Sequence, residues 1–357
     1  MKLLNLENKK ILITGGTGSL SKVLLRRLLA GEAGRPARIV VFSRDESKQY
    51  SLRAEYLDRS SPTHEVLYEN FDSLIEFRIG DVRDLHSVAA ALRGIDVVLH
   101  TAALKQVPTC EYFPVEAVQT NVLGAENIVR AIREFRLPVE TVIGISTDKA
   151  ASPVNVMGMT KALQERVFTR ANLELPDTRF ALVRYGNVLA SRGSVIPLFL
   201  EQISKGGPVT ITDDAMTRFV LSLDQAVDCI FAAIDGAAPG EIFVPRIRSA
   251  RVMDIARALV GDLHIEIRTI GIRPGEKLHE VLVTEEEAAR TRIVHGYYVI
   301  APLLPELRAG GVPLGIQEPS YSSSQDLMSY DEVFELLRLH GLTADRTGID
   351  ASVELLR

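Results

Sequence analysis

Short apolar runs rich in β-branched residues alternate with longer stretches in which apolar residues recur every three or four positions. The first pattern is typical of buried strands and the second of amphipathic helices. Strands are predicted at residues 10–14, 38–42, 75–79, 96–100, 139–145 and 180–185. Because strands alternate with helices through the first half of the chain, we predict an α/β fold with a doubly wound parallel sheet.

Helices are predicted at residues 114–135, 156–171 and 330–340, and the pattern becomes looser after the predicted strand at 180–185. Residues 58–73 are polar and rich in turn formers, which predicts a surface excursion, and residues 302–328 are predicted to form a long loop. We therefore predict a nucleotide-binding domain at 1–190 and a mainly substrate-binding lobe at 191–357, with some segments of the lobe returning to the sheet.

The first predicted strand runs into a glycine-rich turn, GGTGSLSK at residues 15–22, and then into an amphipathic helix. In this context a Rossmann-type domain binds a dinucleotide, because the helix N-terminus presents backbone N–H groups to the pyrophosphate. Gly15 would make the tight turn, Gly18 would let the backbone approach the phosphates, and Ser21 stands where a third glycine usually packs. The predicted cofactor contacts in this turn are Gly15, Thr17, Gly18, Ser19 and Leu20.

The second predicted strand ends in SRDESK, residues 43–48. An NAD-binding domain typically places an acidic residue there to hold the ribose hydroxyls, whereas Ser43, Arg44 and Lys48 suit a 2′-phosphate. The same side chains could instead cap the following helix and lie in solvent. We predict NADP as the cofactor, and NAD stays the alternative because Asp45 lies in the same turn.

Further cofactor contacts are expected where later strands end. Small residues after the fourth strand leave room for the cofactor, and a lysine there could reach a phosphate. The predicted contacts are Asp81 and Val82 after the third strand, Ala102, Ala103 and Lys105 after the fourth, and Asn121 on the helix that follows.

The fifth predicted strand ends directly in the polar sequence STDK, residues 146–149. Open α/β sheets bind their ligands at the carboxyl ends of strands. The next helix carries Met157 and Lys161 four residues apart on one face. A hydroxyl, a carboxylate, two amines and a thioether would thus converge, which favours acid–base chemistry. The alternative interpretation is a capped loop with a surface salt bridge.

Composition narrows the function classes. With 357 residues, 46% hydrophobic and 24% charged, the chain can form one large domain and a smaller one. A net charge of -5 gives no reason to expect nucleic acid or an anionic membrane as partner. Cys110 and Cys229 are far apart, and the seven histidines show no metal-binding spacing. Without a signal-peptide core or a spanning apolar run, we predict a cytoplasmic protein.

Motifs spread over residues 14–280 resemble those of the extended short-chain dehydrogenase/reductase family. They are TGGTGSLSK, FSRDESK, GDVRDL, HTAALKQVP, STDKA, RYGNV, SRGSVIP, MTRF, GEIFVP and GIRPGEKLHE. Within that family the chain is similar to the inverting UDP-N-acetylglucosamine 4,6-dehydratases of pseudaminic acid and related aminosugar pathways. STDKA and GIRPGEKLHE are the specific motifs, since the glycine turn is common to the whole superfamily.

The resemblance implies a UDP-sugar substrate, a homo-oligomer and a borrowed hydride, which leaves sugar C4 for the nicotinamide and returns to C6 after water is lost across C5 and C6. It implies that Thr147 would hydrogen-bond the sugar, Asp148 would protonate the leaving 6-hydroxyl and Lys149 would move the C5 proton. Lys161 would bind the nicotinamide ribose and lower nearby pKa values by its charge. The residues that would hold the sugar nucleotide are Lys105, Asn187, Arg218, Arg273 and Glu276.

Met157 stands at the position of the family's usual catalytic tyrosine. A thioether cannot accept the C4 hydroxyl proton, so the base would be Asp148, Thr147 through a water, or the substrate's own hydrogen-bond network. Three rival functions stay open: a C5-retaining dehydratase, a C4 epimerase of a nucleotide sugar, and a non-catalytic NADP-binding regulatory protein.

Overall fold

The computed structural model describes residues 6–57, 74–189, 194–308, 315–316 and 319–343. The predicted surface excursion at 58–73 therefore lies outside the described residues. Within the described ranges, no helix is both long enough and apolar enough to cross a membrane.

Strands and helices alternate through the first half of the chain, as predicted. The described strands are β1 (Lys10–Thr14), β2 (Arg38–Ser43), β3 (Ile75–Ile79), β4 (Val97–His100), β5 (Thr141–Thr147), β6 (Arg179–Tyr185), β7 (Asn187–Val188), β8 (Val209–Ile211), β9 (Thr217–Leu221), β10 (Ile242–Pro245), β11 (Ser249–Arg251), β12 (Ile267–Thr269), β13 (Val281–Val283), β14 (Thr291–Val294), β15 (Tyr297–Ile300) and β16 (Tyr321–Ser322). The described α-helices are α1 (Ser19–Leu29), α2 (Glu46–Leu57), α3 (Leu85–Ala91), α4 (Val107–Tyr112), α5 (Pro114–Ala117), α6 (Gly124–Phe135), α7 (Val156–Glu174), α8 (Val195–Ser204), α9 (Leu223–Gly236), α10 (Val252–Val260), α11 (Glu285–Ala288) and α12 (Tyr330–Leu339).

The large sheet has the strand order β14-β15-β10-β6-β5-β4-β1-β2-β3. In this spatial order, the last seven strands, from β10 to β3, pair in parallel with their neighbours. Strand β15 is antiparallel to both β10 and β14. The predicted Rossmann-type fold class is confirmed. Strands β10, β14 and β15 come from residues 242–300, so the second half of the chain completes one edge of this sheet.

The described residues form two large apolar cores. The larger one lies between the sheet and its helices and includes fully buried Ile13, Val41 and Leu99. The smaller one is formed by segments after residue 188 and includes Phe199 and Val209. The cleft described below is lined from both sides, by the ends of the parallel strands and by this smaller core's segments.

The predicted helix at 114–135 is interrupted. A π-helical segment, Val118–Leu123, separates α5 from α6. Inside this wider turn, the Asn121 amide accepts a hydrogen bond from the Leu104 N–H at 2.8 Å and donates one to the Leu104 carbonyl at 3.0 Å. The Asn121 side chain therefore points to the loop after β4 and holds its backbone in place.

A buried ion triad anchors the end of β6. Arg184 donates to Glu165 on α7 at 2.7 Å and to Glu287 on α11 at 2.7 Å, and all three side chains are less than a tenth exposed. Ser146 on β5 also donates to Glu165. Since unpaired charges at this depth are strongly unfavourable, the triad fixes α7 against the strands that carry the site.

The predicted loop at 302–328 contains a short strand in its described part. β16 pairs with β13, and the Tyr321 ring packs on Phe219 and Tyr298 with centroid distances of 4.8 and 4.9 Å. The Tyr321 hydroxyl also donates to the Ile247 carbonyl. An aromatic residue buried by distant partners explains why the local pattern gave no strand signal.

Candidate active site

A cleft of about 1540 Å³ opens at the carboxyl ends of the parallel strands. The glycine turn after β1 and the loop after β4 form one part of its wall. The end of β5, the start of α7 and the segments around residues 187, 218 and 273–280 form the rest. The register of β5 on β6 sets Thr147 opposite Tyr185, which brings these two strand ends into the same wall.

The glycine turn is shaped for close approach. Gly15 has a φ of +65°, and a Cβ there would lie 2.8 Å from the Ala102 Cα. Gly18 occupies the N-cap position of α1, whose first turn contains no acidic residue, and Gly18, Ser19 and Leu20 all line the cleft. A helix N-terminus without a competing carboxylate suits a pyrophosphate, so these residues fit the dinucleotide that the fold implies.

Ser21 does not face solvent. Its side chain is 1% exposed, and its hydroxyl lies 3.1 Å from the Gly15 carbonyl and 2.8 Å from Thr101 Oγ1. A serine here therefore hydrogen-bonds the glycine turn to the loop after β4. This contact replaces the close packing that a third glycine would allow.

The predicted 2′-phosphate group lies at the rim of the cleft. Ser43, Arg44 and Lys48 all line it. Arg44 lies 3.6 Å from Asp81, and Lys48 lies 2.8 Å from Asp45, with both cations about half exposed. Exposed ion pairs are weak, so a phosphate could draw either cation from its carboxylate.

Three predicted site residues are not among the described residues that line the cleft: Asp81, Asn121 and Asp148. Asp81 is turned towards Arg83, 2.7 Å away. Although partial burial opposes its ionisation, the hydrogen bonds from Arg83 and the charge of Arg44 hold the pKa of Asp81 below its ordinary value. Asn121 is fully buried against Leu104.

A 3-10 turn, Asp148–Ala150, follows β5 and carries the candidate acid and base. Thr147 Oγ1 donates to Asp148 Oδ1 at 2.9 Å, and Lys149 Nζ donates to the same oxygen at 3.0 Å. Asp148 is 0% exposed, and its Oδ2 has no hydrogen-bond partner among the described residues. Thr147 and Lys149 line the cleft, so the buried carboxyl is connected to it through these two neighbours.

A second buried carboxylate, Glu280, lies close to the same amine. Lys149 Nζ is 3.5 Å from Glu280 Oε1, while Arg218 Nε is 4.0 Å from that oxygen and Lys277 Nζ is 3.8 Å from Oε2. Burial opposes the charge of Lys149, but the nearby Asp148 and Glu280 outweigh it and raise the lysine's pKa above the ordinary value. Lys149 is therefore an ammonium at neutral pH in the free protein.

Lys161 has the opposite electrostatic character. Its amine is buried and donates to Gln164 Oε1 at 2.6 Å. Burial, opposed only in part by the charge of Glu165, lowers the pKa of Lys161 to about 7. The carboxylate of Glu165 is held by Arg184, as described above. This lysine can change charge near neutral pH, unlike Lys149.

Met157 is 5% exposed and packs in a small apolar cluster with Cys110 and Ala117. It also lines the cleft. At this position the chain thus presents a thioether to the ligand and no exchangeable proton.

Sequence reasoning assigned no role to Asn155 or Glu280. Asn155 caps α7 through the Gly158 N–H at 2.8 Å and donates to the Gly275 carbonyl at 2.7 Å. A Cβ at Gly158 would come within 2.2 Å of the Lys149 carbonyl. Asn155 and Gly158 therefore set the distance between α7, the 3-10 turn and the loop at 273–276. Glu280 ends the GIRPGEKLHE motif and Asn155 immediately precedes the predicted helix at 156–171, but only their contacts indicate their roles.

The predicted substrate residues line the cleft: Lys105, Asn187, Arg218, Arg273 and Glu276. Arg218 is 8% exposed and donates to the Thr217 carbonyl at 2.7 Å, so its guanidinium is held in place. Arg273 and Glu276 lie on one loop, where the Arg273 N–H donates to the Glu276 carboxylate at 3.4 Å. Their roles in binding stay predictions.

Comparison with known proteins agrees with this geometry. A protein-family model with the description "Polysaccharide biosynthesis protein" matches residues 11–302. A relative named UDP-glucose 4-epimerase, from Rickettsia bellii, is 41% identical over 341 residues, covering 92% of this chain and 95% of the relative. A relative named UDP-N-acetylglucosamine 4,6-dehydratase (inverting), from Campylobacter jejuni, is 41% identical over 297 residues, covering 82% and 83%.

A solved structure extends the likeness to the whole fold. The X-ray structure of Pen from Bacillus thuringiensis is similar with a TM-score of 0.83 at 34% identity, covering 95% of this chain and 99% of that one. The resemblance indicated by the motifs is confirmed. The chain belongs to the polysaccharide biosynthesis protein family of the extended short-chain dehydrogenases/reductases.

Proposed function

We propose that this protein is an NADP-dependent UDP-N-acetylglucosamine 4,6-dehydratase that inverts C5 of the sugar. The observation that carries the proposal is the Lys149 amine between two buried carboxylates, 3.0 Å from Asp148 and 3.5 Å from Glu280, in a cleft with a dinucleotide-binding turn. Removing water from a sugar requires an acid for the leaving hydroxyl and a base for the neighbouring carbon. The likeness to the Campylobacter enzyme of that name supports the choice of reaction.

The glycine turn at 15–18 would hold the dinucleotide phosphates, and Lys161 would hold the nicotinamide ribose. When bound, NADP supplies a place for the hydride that leaves sugar C4 and returns to C6. The chain's own residues bind and orient the two ligands and move the protons.

We infer that Thr147 carries protons between the sugar and Asp148. Its hydroxyl belongs to the cleft wall and donates to the buried carboxyl at 2.9 Å. We infer that Asp148 takes the 4-hydroxyl proton through Thr147 and later gives it to the departing 6-hydroxyl. Because Met157 has no proton to exchange, Asp148 takes the role that a tyrosine has elsewhere in the family.

A C4 epimerase is the second candidate, because relatives of that name match more of the chain than the dehydratase does. Epimerisation at C4 needs no acid at O6 and no base at C5. Two buried carboxylates around Lys149 are therefore better explained by elimination. A C5-retaining dehydratase would use the same groups and differ in the face that receives the C5 proton.

The reaction is tested by incubating the protein with NADP and UDP-N-acetylglucosamine carrying deuterium at C4. We expect a 4-keto-6-deoxy product with deuterium at C6, inverted C5 and no net accumulation of NADPH, all followed by NMR and absorbance. The C4 epimer as product would support the epimerase, and retained C5 would support the other dehydratase. No turnover of any UDP-N-acetylhexosamine would favour the non-catalytic regulatory protein.

Replacing Arg44 by alanine is expected to weaken NADP binding roughly tenfold and to leave NAD binding unchanged. A charge-assisted contact to a phosphate is worth about 1.5–3 kcal/mol, and the half-exposed position of Arg44 places it at the lower end. Titration of both cofactors by protein fluorescence or calorimetry measures the two affinities. Arg93→Ala is the matched control, because it removes the same charge from an exposed site before β4. Equal losses for NADP and NAD would contradict the 2′-phosphate assignment and leave NAD as the alternative.

The cellular location of the protein, its oligomeric state and the separate binding roles of its two halves stay predictions. We propose a cytoplasmic homo-oligomer in which residues 1–190 mainly bind the cofactor and residues 191–357 mainly bind the UDP-sugar. Neither nucleic acid nor a membrane is a partner in this proposal.

A further inference from the structure

The proposed dehydratase reaction raises a difficulty at Lys149, and the following inference rests on that reaction. A lysine that acts as the base for the C5 proton must be neutral. Lys149 is an ammonium in the free protein, because the nearby carboxylates of Asp148 and Glu280 favour its charged form. The amine must therefore lose a proton after the substrate binds and before C5 is attacked. The question is which group takes that proton.

Asp148 is not available at that stage. In the proposed sequence it has already taken the 4-hydroxyl proton during the oxidation, and it keeps this proton for the leaving 6-hydroxyl. The charged groups around the Lys149 amine are Asp148, Glu280, Arg218 and Lys277. Arg218 cannot accept a proton, and the Lys277 amine is turned to the Ala151 carbonyl, to which it donates at 2.7 Å, which leaves Glu280.

Glu280 has the properties of a proton acceptor. It is 2% exposed, and its Oε1 lies 3.5 Å from the Lys149 amine. Its Oε2 has no hydrogen-bond partner among the described residues, since the nearby Lys277 donates instead to the Ala151 carbonyl at 2.7 Å. The carboxyl therefore has an oxygen next to the amine and a second oxygen without a hydrogen bond among the described residues. The backbone of Glu280 is fixed separately, by the Ser323 hydroxyl at 2.9 Å.

We propose that Glu280 is a positioning residue that takes the proton of the Lys149 ammonium once Asp148 has been neutralised. The step breaks one N–H bond of Lys149 and forms one O–H bond on Glu280, so an ion pair becomes a neutral amine and a neutral acid. The amine then takes the C5 proton and becomes an ammonium again. After water has left, inversion requires that C5 receives a solvent proton on the opposite face, and Glu280 releases its proton to solvent, so the pair returns to its starting charge state with no net proton gained or lost.

This arrangement couples the two halves of the reaction. While Asp148 is a carboxylate, it holds the proton on Lys149, so the amine cannot attack C5 of an unoxidised sugar. Oxidation at C4 neutralises Asp148 and removes one of the two anions that favour the ammonium. Glu280 therefore makes the base available only after the C5 proton has been acidified by the new ketone.

The test uses Glu280→Gln, which keeps the size of the side chain and removes the acceptor. The probe is UDP-N-acetyl-6-deoxyglucosamine, which has no 6-hydroxyl and so stops before elimination. Two rates are measured in D2O: reduction of bound NADP by single-turnover absorbance, and deuterium entry at C5 by mass spectrometry. We expect reduction close to the wild-type rate and C5 exchange slower by on the order of 100-fold at pH 7.

The pH dependence separates a proton acceptor from a counter-ion. Without Glu280, Lys149 loses its proton only to solvent, so exchange in Glu280→Gln should rise about tenfold per pH unit above pH 7 and rise much less in the wild type. A mere counter-ion would give the opposite sign, because its removal lowers the pKa of Lys149 and speeds exchange. Exchange at or above the wild-type rate at pH 7 would overturn the proposal, and so would equal losses in reduction and exchange.

Two further variants keep the result interpretable. Glu280→Asp retains a carboxyl and should recover part of the exchange, which a purely structural defect would not do. Glu266→Gln removes one carboxylate from an exposed pair with Arg268 and should leave both rates unchanged. Failure of the dehydratase proposal itself would appear differently, as a wild-type protein that does not reduce its NADP with either sugar nucleotide, or that reduces it without any deuterium entering C5.

Discussion

Asp148→Asn is expected to abolish turnover, with losses on the order of 100- to 10,000-fold in both the oxidation at C4 and the loss of water. The variant keeps the shape of the side chain and the hydrogen bond from Thr147 to its remaining oxygen, but it can neither take nor give a proton at neutral pH. Because one carboxyl serves both steps, both should fail together. Single-turnover absorbance of the reduced nicotinamide and NMR of the product measure the two steps separately.

The Thr147 hydroxyl tests the route to Asp148. Thr147→Val removes the hydroxyl at nearly constant volume and should reproduce most of the Asp148→Asn defect, whereas Thr147→Ser should retain activity. Met157→Tyr should also retain activity, since a phenol at that position only adds a second base. An Asp148→Asn enzyme that reduces its bound NADP at the normal rate would show that another group takes the C4 proton.

The parts of the fold that the sequence predicted are those with a strong local signal. Five of the six parallel strands between residues 10 and 185 are built on apolar runs, β3 alternates apolar and charged residues, and the turn after β1 has glycines that a tight turn requires. The break in the helix at 114–135 and the strand at Tyr321 were not predictable, because each depends on a distant partner. Asn121 is held by Leu104, and Tyr321 packs on Phe219 and Tyr298.

In the candidate active site, too, neighbours in sequence were predictable and contacts between distant residues were not. Motif spacing brought Thr147, Asp148 and Lys149 together, since they are neighbours in sequence. The contact of Lys149 with Glu280 and that of Asn155 with Gly275, 120 residues apart, come from tertiary packing alone. Charge states follow from such packing: Lys149 and Lys161 look alike in sequence, yet their pKa values shift in opposite directions.

That difference predicts distinct defects for the two lysines. Lys149→Arg should eliminate C5 exchange and leave cofactor affinity unchanged, because arginine keeps the ion pairs with Asp148 and Glu280 but cannot act as a base. Its retained charge also limits the loss of stability that an unpaired buried carboxylate would cause. Lys161→Met should instead weaken NADP roughly tenfold near pH 6, since a charge-assisted contact to the cofactor is worth about 1.5 kcal/mol or more.

The pH dependence of binding distinguishes them further. Burial lowers the pKa of Lys161 to about 7, so its ammonium form predominates near pH 6 and its neutral form predominates by pH 8. The advantage of the wild type over Lys161→Met in NADP affinity should therefore shrink as pH rises through 7, while Lys149→Arg should follow the wild type at every pH. Calorimetric titrations of the three proteins at matched ionic strength measure this. If the wild type and Lys161→Met differ by the same factor at pH 6 and pH 8, the Lys161 charge does not contribute to cofactor binding, and the separate roles of the two lysines must be abandoned.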